Sequence, residues 1–211
     1  MTLEAGLRVA SYGSYYTLGS RQGPAFEAVL DTALALGAPV IRVWAGERGS
    51  AGADDAYWKL MVDESQRIAE MAGAAGLVTA FEFHQGTLTD TAASAHRLLE
   101  GAAHPAAMTY WQPAAQLDAA SNVAGLRLVL GWLVNVHVYH IDPDRQERLP
   151  LSEGAEPWAR YLSAMAVGGK PHFAMLEFVR EDSPDAFVQD AAALIGWVSA
   201  ANTGRRAGEE P

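Results

Sequence analysis

Three ionisable side chains stand inside apolar, β-prone runs. They are Glu82 in Thr79-Ala80-Phe81-Glu82-Phe83-His84, His137 in Val134-Asn135-Val136-His137-Val138-Tyr139-His140, and Glu177 in Met175-Leu176-Glu177-Phe178-Val179. A carboxylate surrounded by Phe, Leu and Val is costly to bury unless it is paired or ligated. Two carboxylates and one imidazole suit Mn²⁺, Mg²⁺, Co²⁺ or Zn²⁺. The sequence contains no Cys, so a thiolate site is excluded and any metal must sit on imidazole, carboxylate or amide oxygen. A single acid of this kind would more often be a salt-bridged structural group. Three at equivalent strand positions favour a site.

The elements that must position these residues are legible as alternating patterns. Short apolar runs at Leu7 to Ser11, Val40 to Trp44, Leu77 to Phe83, Ala106 to Trp111, Leu133 to Tyr139 and Phe173 to Val179 read as strands. Between the first two, Phe26, Val29, Leu30, Ala33 and Leu34 follow helical spacing, with Gly37 as the stop. Tyr57 to Met71, Asp90 to Leu99, Ser121 to Trp132 and Glu156 to Val167 repeat that pattern more weakly. Asp182-Ser183-Pro184 opens a final helix whose apolar face is Phe187, Ala191, Leu194, Ile195 and Val198. Strands that are apolar on both faces and alternate with helices imply an α/β protein with a parallel sheet. In a parallel barrel the carboxyl ends of the strands share one face, where Glu82, His137 and Glu177 would meet.

The bulk properties set limits on partners. At 211 residues and 50% hydrophobic content, one domain is expected, spanning 1–200, with 201–211 as a disordered polar tail. The balance of 15 Lys+Arg against 25 Asp+Glu gives a net charge of -10, which repels nucleic acid in the absence of a basic stripe. No apolar run is long enough for a membrane helix, and no leader pattern opens the chain, so a cytoplasmic location is expected. Six strand-helix units are visible where a closed parallel barrel takes eight. Leu3-Glu4-Ala5-Gly6-Leu7 reads as a helix end, its Gly stop and the next strand, so the expectation is a barrel lacking its first two units. Its sheet would then be open, with the strands at Leu7 to Ser11 and Phe173 to Val179 as edges through which a homodimer could form.

Several motifs resemble the sugar phosphate isomerases and epimerases, the xylose-isomerase-like TIM barrels. Phe81-Glu82-Phe83-His84-Gln85-Gly86-Thr87 resembles their Glu-Asn-His strand end, and His137-Val138-Tyr139-His140 their His-Val-x-Asp strand. Leu151-Ser152-Glu153-Gly154 resembles their Leu-Gly-Glu-Gly loop, and Leu176-Glu177 their closing Ile-Glu strand. The resemblance implies a TIM-type (β/α) barrel with a divalent metal held by two Glu, one Asp and one His, the two Glu doubling as acid and base. Glu82, His137 and Glu177 match three of the four ligands. At the fourth, Gln112-Pro113 stands where the family has Asp-Pro, which implies a neutral amide ligand and a site one negative charge short.

Around these, Arg42 and Trp44 share one side of their strand. Arg42 would clamp a substrate oxygen or phosphate, or else pair with an internal acid. His84 and His140 lie just beyond proposed ligands, at the same rim. Trp111 and Trp158 would wall a sugar pocket or else fill the core. Arg145 and Arg148 would contact phosphate or remain solvated loop charges. The reaction implied is isomerisation or epimerisation of a small sugar-like hydroxy-carbonyl substrate through an enediolate, with Glu82 and Glu177 as the proton-transferring groups. The competing classes are a non-catalytic truncated barrel that binds a small molecule or partner chain, and a metal-dependent endonuclease of the same fold, which the net charge disfavours.

Overall fold

The computed structural model describes residue 2 and residues 4–207, with side chains described up to residue 202. The chain falls into two compact units, one of residues 1–110 and 132–134, the other of residues 111–131 and 135–211.

In the first unit the strands β1 (Tyr12–Thr17), β2 (Val40–Trp44), β3 (Val78–Phe81) and β4 (Ala107–Trp111, its last residue in the second unit) alternate with the helices α1 (Phe26–Leu36), α2 (Asp55–Ala74) and α3 (Ala92–Ala102). The pairings β1 with β2, β2 with β3 and β3 with β4 are all parallel. Gly37 closes α1 at φ 66°, its N–H returning to the carbonyls of Ala33 and Leu34, a left-handed stop that suits glycine. Asp54 caps α2 by accepting from the Tyr57 N–H, and Thr91 with Ser94 forms a reciprocal box at the start of α3. Ile41, Val43, Phe26, Met61, Ile68, Phe81 and Leu98 are almost wholly buried. Each contributes on the order of 1.5–3 kcal/mol of apolar burial.

The first strand lies later than expected. Leu7 is exposed, and the paired segment is Tyr12–Thr17. Apolar content drew the expectation to Leu7 to Ser11, but the later segment has the alternation that a two-faced strand needs. Tyr16 packs edge-on against Phe26 on one side, while Tyr15 meets Trp44 on the other. The buried Ser14 hydroxyl donates to the Arg42 carbonyl at 2.6 Å. The reading of residues 3–7 as a helix end falls partly outside the described residues, since Leu3 is not among them. Gly6 is left-handed, at φ 72°, and the Leu7 N–H returns to the Thr2 carbonyl.

Tyr16 also hydrogen-bonds Glu64 of α2, and Arg67 donates to both the tyrosine hydroxyl and the Glu64 carboxylate. Burial, reinforced by the neighbouring carboxylate, pushes the Tyr16 hydroxyl up from 10.0 to about 12. The folded state therefore keeps this proton at pH values where the unfolded chain has released it, and stability declines as pH rises from about 10 to about 12. Denaturation midpoints followed across that range should fall more steeply for the wild type than for Tyr16→Phe. A phenol that absorbs as tyrosinate only near the top of that range should be missing from the variant.

In the second unit, β5 (Leu133–Val138, its first two residues in the first unit) precedes β6 (Phe173–Leu176), and these two strands pair in parallel. The helices here are α4 (Ala119–Val129), α5 (Ala155–Ala166) and α6 (Pro184–Ala207). Trp158, Tyr161, Leu162 and Met165 of α5 form a buried face. The last helix opens on Pro184 as expected and continues to Ala207, so residues 201–207, expected as a disordered tail, are helical, and 208–211 lie outside the described residues. No helix among the described residues is long and apolar enough to cross a membrane.

Candidate functional site

In the first unit, strand register places Glu82. Arg42 of β2 lies opposite Ala80 and Val43 opposite Phe81, and the Glu82 N–H, one residue past β3, donates to the Val43 carbonyl at 3.1 Å. The Glu82 side chain therefore comes level with Trp44 and diagonal to Arg42, on the face those two residues share. Its Oε2 accepts from Arg42 Nη1 at 2.6 Å and from Trp44 Nε1 at 2.5 Å, and the carboxylate is 4% exposed. Arg42 is thus the partner of a buried acid, its second terminal nitrogen donating to the Ser14 carbonyl at 3.0 Å. The guanidinium lies beside both the Tyr15 and Trp44 rings, 5.5 and 5.4 Å from their centroids. His84 is exposed, stacks at a tilt against Trp44 with centroids 5.1 Å apart, and has its Nδ1 2.7 Å from the Gln85 carbonyl.

The second unit repeats the arrangement with different side chains. His137 of β5 lies opposite Met175 and Val138 opposite Leu176, and the Glu177 N–H, one residue past β6, donates to the Val138 carbonyl at 3.0 Å. Glu177 reaches diagonally to His137, with Oε2 3.3 Å from Nδ1. Gln112, one residue past β4, brings Oε1 to 2.9 Å from the same nitrogen. A ring nitrogen carries one hydrogen at most. Gln112 Oε1 is the closer of the two oxygens, and the buried Glu177 Oε2 has no hydrogen-bond partner. An orphaned carboxylate oxygen, an imidazole and an amide oxygen make a donor set that fits a hard or borderline divalent ion.

The other expected residues distribute unevenly. Trp111 lies in the core of the second unit, 1% exposed and edge-on to Trp158 and Tyr161, so it serves packing. Its position at the end of β4 puts the side chain among the α5 aromatics. His140 is half-buried and lines a cleft of about 240 Å³ with Tyr139, Trp158, Tyr161 and Glu156. A Cβ on Gly154 would come within 3.0 Å of the His140 ring, so that loop glycine permits a close approach. Arg148 pairs with Asp182 at 2.7 Å, while the Arg145 N–H donates to Asp142. Sequence reasoning missed Tyr15, which is 77% exposed beside Trp44 and Arg42. Its signal was the β-prone Tyr-rich run that the misplaced first strand obscured.

A chain of parallel strand-helix units with its ionisable side chains just past the strands is a (β/α)-barrel protein of the kind that works at its strand ends. The profile of the xylose isomerase-like TIM barrel family matches residues 3–197, and the chain belongs to that family. Among curated proteins none matches. Among solved structures, the probable 3-DHS dehydratase AsbF of Bacillus anthracis, described as involved in petrobactin synthesis, aligns at 20% identity and TM-score 0.72, covering 92% of this chain and 77% of that one. An L-ribulose 3-epimerase aligns at 14% identity and TM-score 0.70, covering 99% and 80%. A xylose isomerase-like TIM barrel protein of Mycobacterium smegmatis in complex with magnesium aligns at 15% identity and TM-score 0.65, covering 83% and 66%. At these identities the likeness establishes the fold.

Proposed function

We propose that this protein is a metal-dependent isomerase or epimerase of a small sugar-like hydroxy-carbonyl compound. The observation that carries the reading is the buried Glu177 Oε2 without a hydrogen bond, beside an imidazole that Gln112 orients. Glu82, His137 and Glu177 would hold a divalent ion, Mn, Mg, Co or Zn, with the Gln112 oxygen as the neutral fourth donor. When bound, that ion supplies positive charge to offset the negative charge developing on substrate oxygens. Glu177 takes the proton from the carbon beside the carbonyl, because its orphaned oxygen has a lone pair to receive it. His137 is held in orientation by its contact with Gln112. In an epimerisation Glu82, held by Arg42 and Trp44, would carry the proton that is donated to that carbon after Glu177 has removed the first. Trp44, His84 and Tyr15 supply ring faces for the C–H surface of a sugar. The epimerase and magnesium-bound relatives are consistent with this class of chemistry.

The ion pair of Arg42 with Glu82 also supports a second reading, in which Glu82 is a structural acid and the barrel binds a ligand without turning it over. A panel of ketoses, aldoses and their phosphates incubated with Mn²⁺-loaded protein and followed by ¹³C NMR tests the choice. Interconversion at one or two adjacent carbons, lost in Glu177→Gln, supports the enzyme. Tight binding of a sugar with no conversion supports the second reading.

A further inference from the structure

The turn that follows Glu177 is strained. Phe178 (φ 51°), Glu181 (φ 58°) and Asp182 (φ 49°) all take left-handed conformations that suit glycine, and none of them is glycine. Such a conformation costs energy in any residue with a Cβ and persists only where the surroundings over-determine it. Here several contacts converge from one side chain. Arg148 Nη1 donates to Asp182 Oδ1 at 2.7 Å and to the Val179 carbonyl at 3.3 Å. The same guanidinium lies 5.3 Å from the Phe178 ring centroid, and Tyr139 meets that ring edge-on at 5.3 Å.

Arg148 itself stands on a stiff support. Ile141 and Arg148 form an antiparallel bridge, the Asp142 N–H donates to the Glu147 carbonyl at 2.9 Å, and the Leu149 N–H donates to the His140 carbonyl at 2.9 Å. Asp142 Oδ1 accepts from the backbone N–H groups of Asp144 and Arg145, which closes the tip of the hairpin. The hairpin leaves β5 shortly after His137, and the strained turn leaves β6 immediately after Glu177. Arg148 therefore joins the hairpin that follows the strand carrying His137 to the turn that follows Glu177.

We infer that Arg148 is a positioning residue that holds the Glu177 carboxylate against His137 by tying the hairpin after β5 to the strained turn after β6. The inference rests on the reading that this pair is the metal-binding and proton-transferring end of the site, and it gives Arg148 a role in place of contact with substrate phosphate. With Asp182 86% exposed, the Arg148–Asp182 pair contributes little to global stability, so its removal should act locally.

The side-chain ¹H–¹⁵N signals of the histidines, recorded on the full chain after chelator treatment, test the positioning without any metal. Arg148→Ala is expected to move the His137 signals in the direction that Glu177→Gln moves them and to leave His104, in the first unit, unchanged. Asp182→Asn, which breaks the same tie from the other side, should do likewise, and it keeps the test open if Arg148→Ala does not fold. In calorimetric titrations with Mn²⁺, Arg148→Ala should weaken binding about tenfold, the scale for groups that orient a ligand. Arg148→Lys, which can reach Asp182 but not also the Val179 carbonyl and the Phe178 ring, should weaken it less. In a Glu177→Gln background the added effect of Arg148→Ala should be within about twofold, because it acts through the residue already changed. Unmoved His137 signals would overturn the inference, and so would an equal Mn²⁺ loss in both backgrounds. A wild type that binds no Mn²⁺ would instead overturn the metal reading, and the histidine signals would still decide the role of Arg148.

Discussion

After loading with Mn²⁺ and desalting, the wild-type chain is expected to keep about one ion and the Glu82→Gln, Glu177→Gln double variant close to none. The reason is additive: each substitution replaces a charged donor with a neutral one, a loss of about 1.5–3 kcal/mol per contact, so the pair should weaken binding by at least about a hundredfold. The single variants separate the two glutamates. Glu177 Oε2 makes no hydrogen bond in the folded chain, so Glu177→Gln removes metal with little change in melting temperature. Glu82→Gln leaves the Arg42 guanidinium, 14% exposed, without its carboxylate, and should destabilise the fold by roughly 3 kcal/mol, the scale for breaking a buried pair. Elemental analysis and thermal melts on the same samples read both effects. Equal metal content in the wild type and the double variant would remove Glu82 and Glu177 as ligands.

Restoring a carboxylate at Gln112 should have the opposite sign. Gln112 Oε1 is 2.9 Å from His137 Nδ1, so the side chain already reaches the donor set. Gln112→Asp adds the negative charge that the family pattern places there, and calorimetry should show Mn²⁺ binding tightened by about 1–3 kcal/mol, the gain of a charge-assisted over a neutral contact. The shorter side chain retracts from the imidazole by about one bond, which a ligand bridging the two accommodates. No tightening, or a loss, would mean that Gln112 serves only to hold the ring, in which case Gln112→Asp should alter the His137 ring signals without altering metal content.

How far the sequence could be read differs from residue to residue. The strand Val40 to Trp44 was legible to the residue, because a β-branched run bounded by Pro39 and Ala45-Gly46 leaves no competing register. The first strand was not, since apolar content favoured Leu7 to Ser11 while pairing depends on which side chains have partners, and Ser14 and Tyr16 acquire theirs only from β2 and α2. Glu82, His137 and Glu177 stood out because ionisable groups in apolar strands are conspicuous. Arg42 was equally conspicuous, but its choice between substrate and Glu82 depended on a diagonal contact across two strands that no linear spacing encodes. Trp111 could not be told from a pocket wall, since an aromatic at a strand end serves either purpose until the facing helix is known. Arg148 was visible only as a loop charge. Its contacts lie on a turn whose left-handed backbone at Phe178 has no glycine to announce it.

Glu82, Gln112 and Glu177 each occupy the first position beyond a strand, and at two of these the backbone N–H is pinned to the neighbouring strand by the same kind of bond, Glu82 to Val43 and Glu177 to Val138. The main chain at such a position is fixed by the ladder whatever side chain it carries. It behaves as a socket, outside the alternation that packs the core and still held by the sheet. A change of residue there alters what the strand end offers to a ligand, and at Glu82 it also breaks the buried pair with Arg42. Chemistry on this scaffold can therefore change by single exchanges without refolding. That gives a physical route by which a probable dehydratase and an epimerase, sharing 20% and 14% of their residues with this chain, keep one architecture.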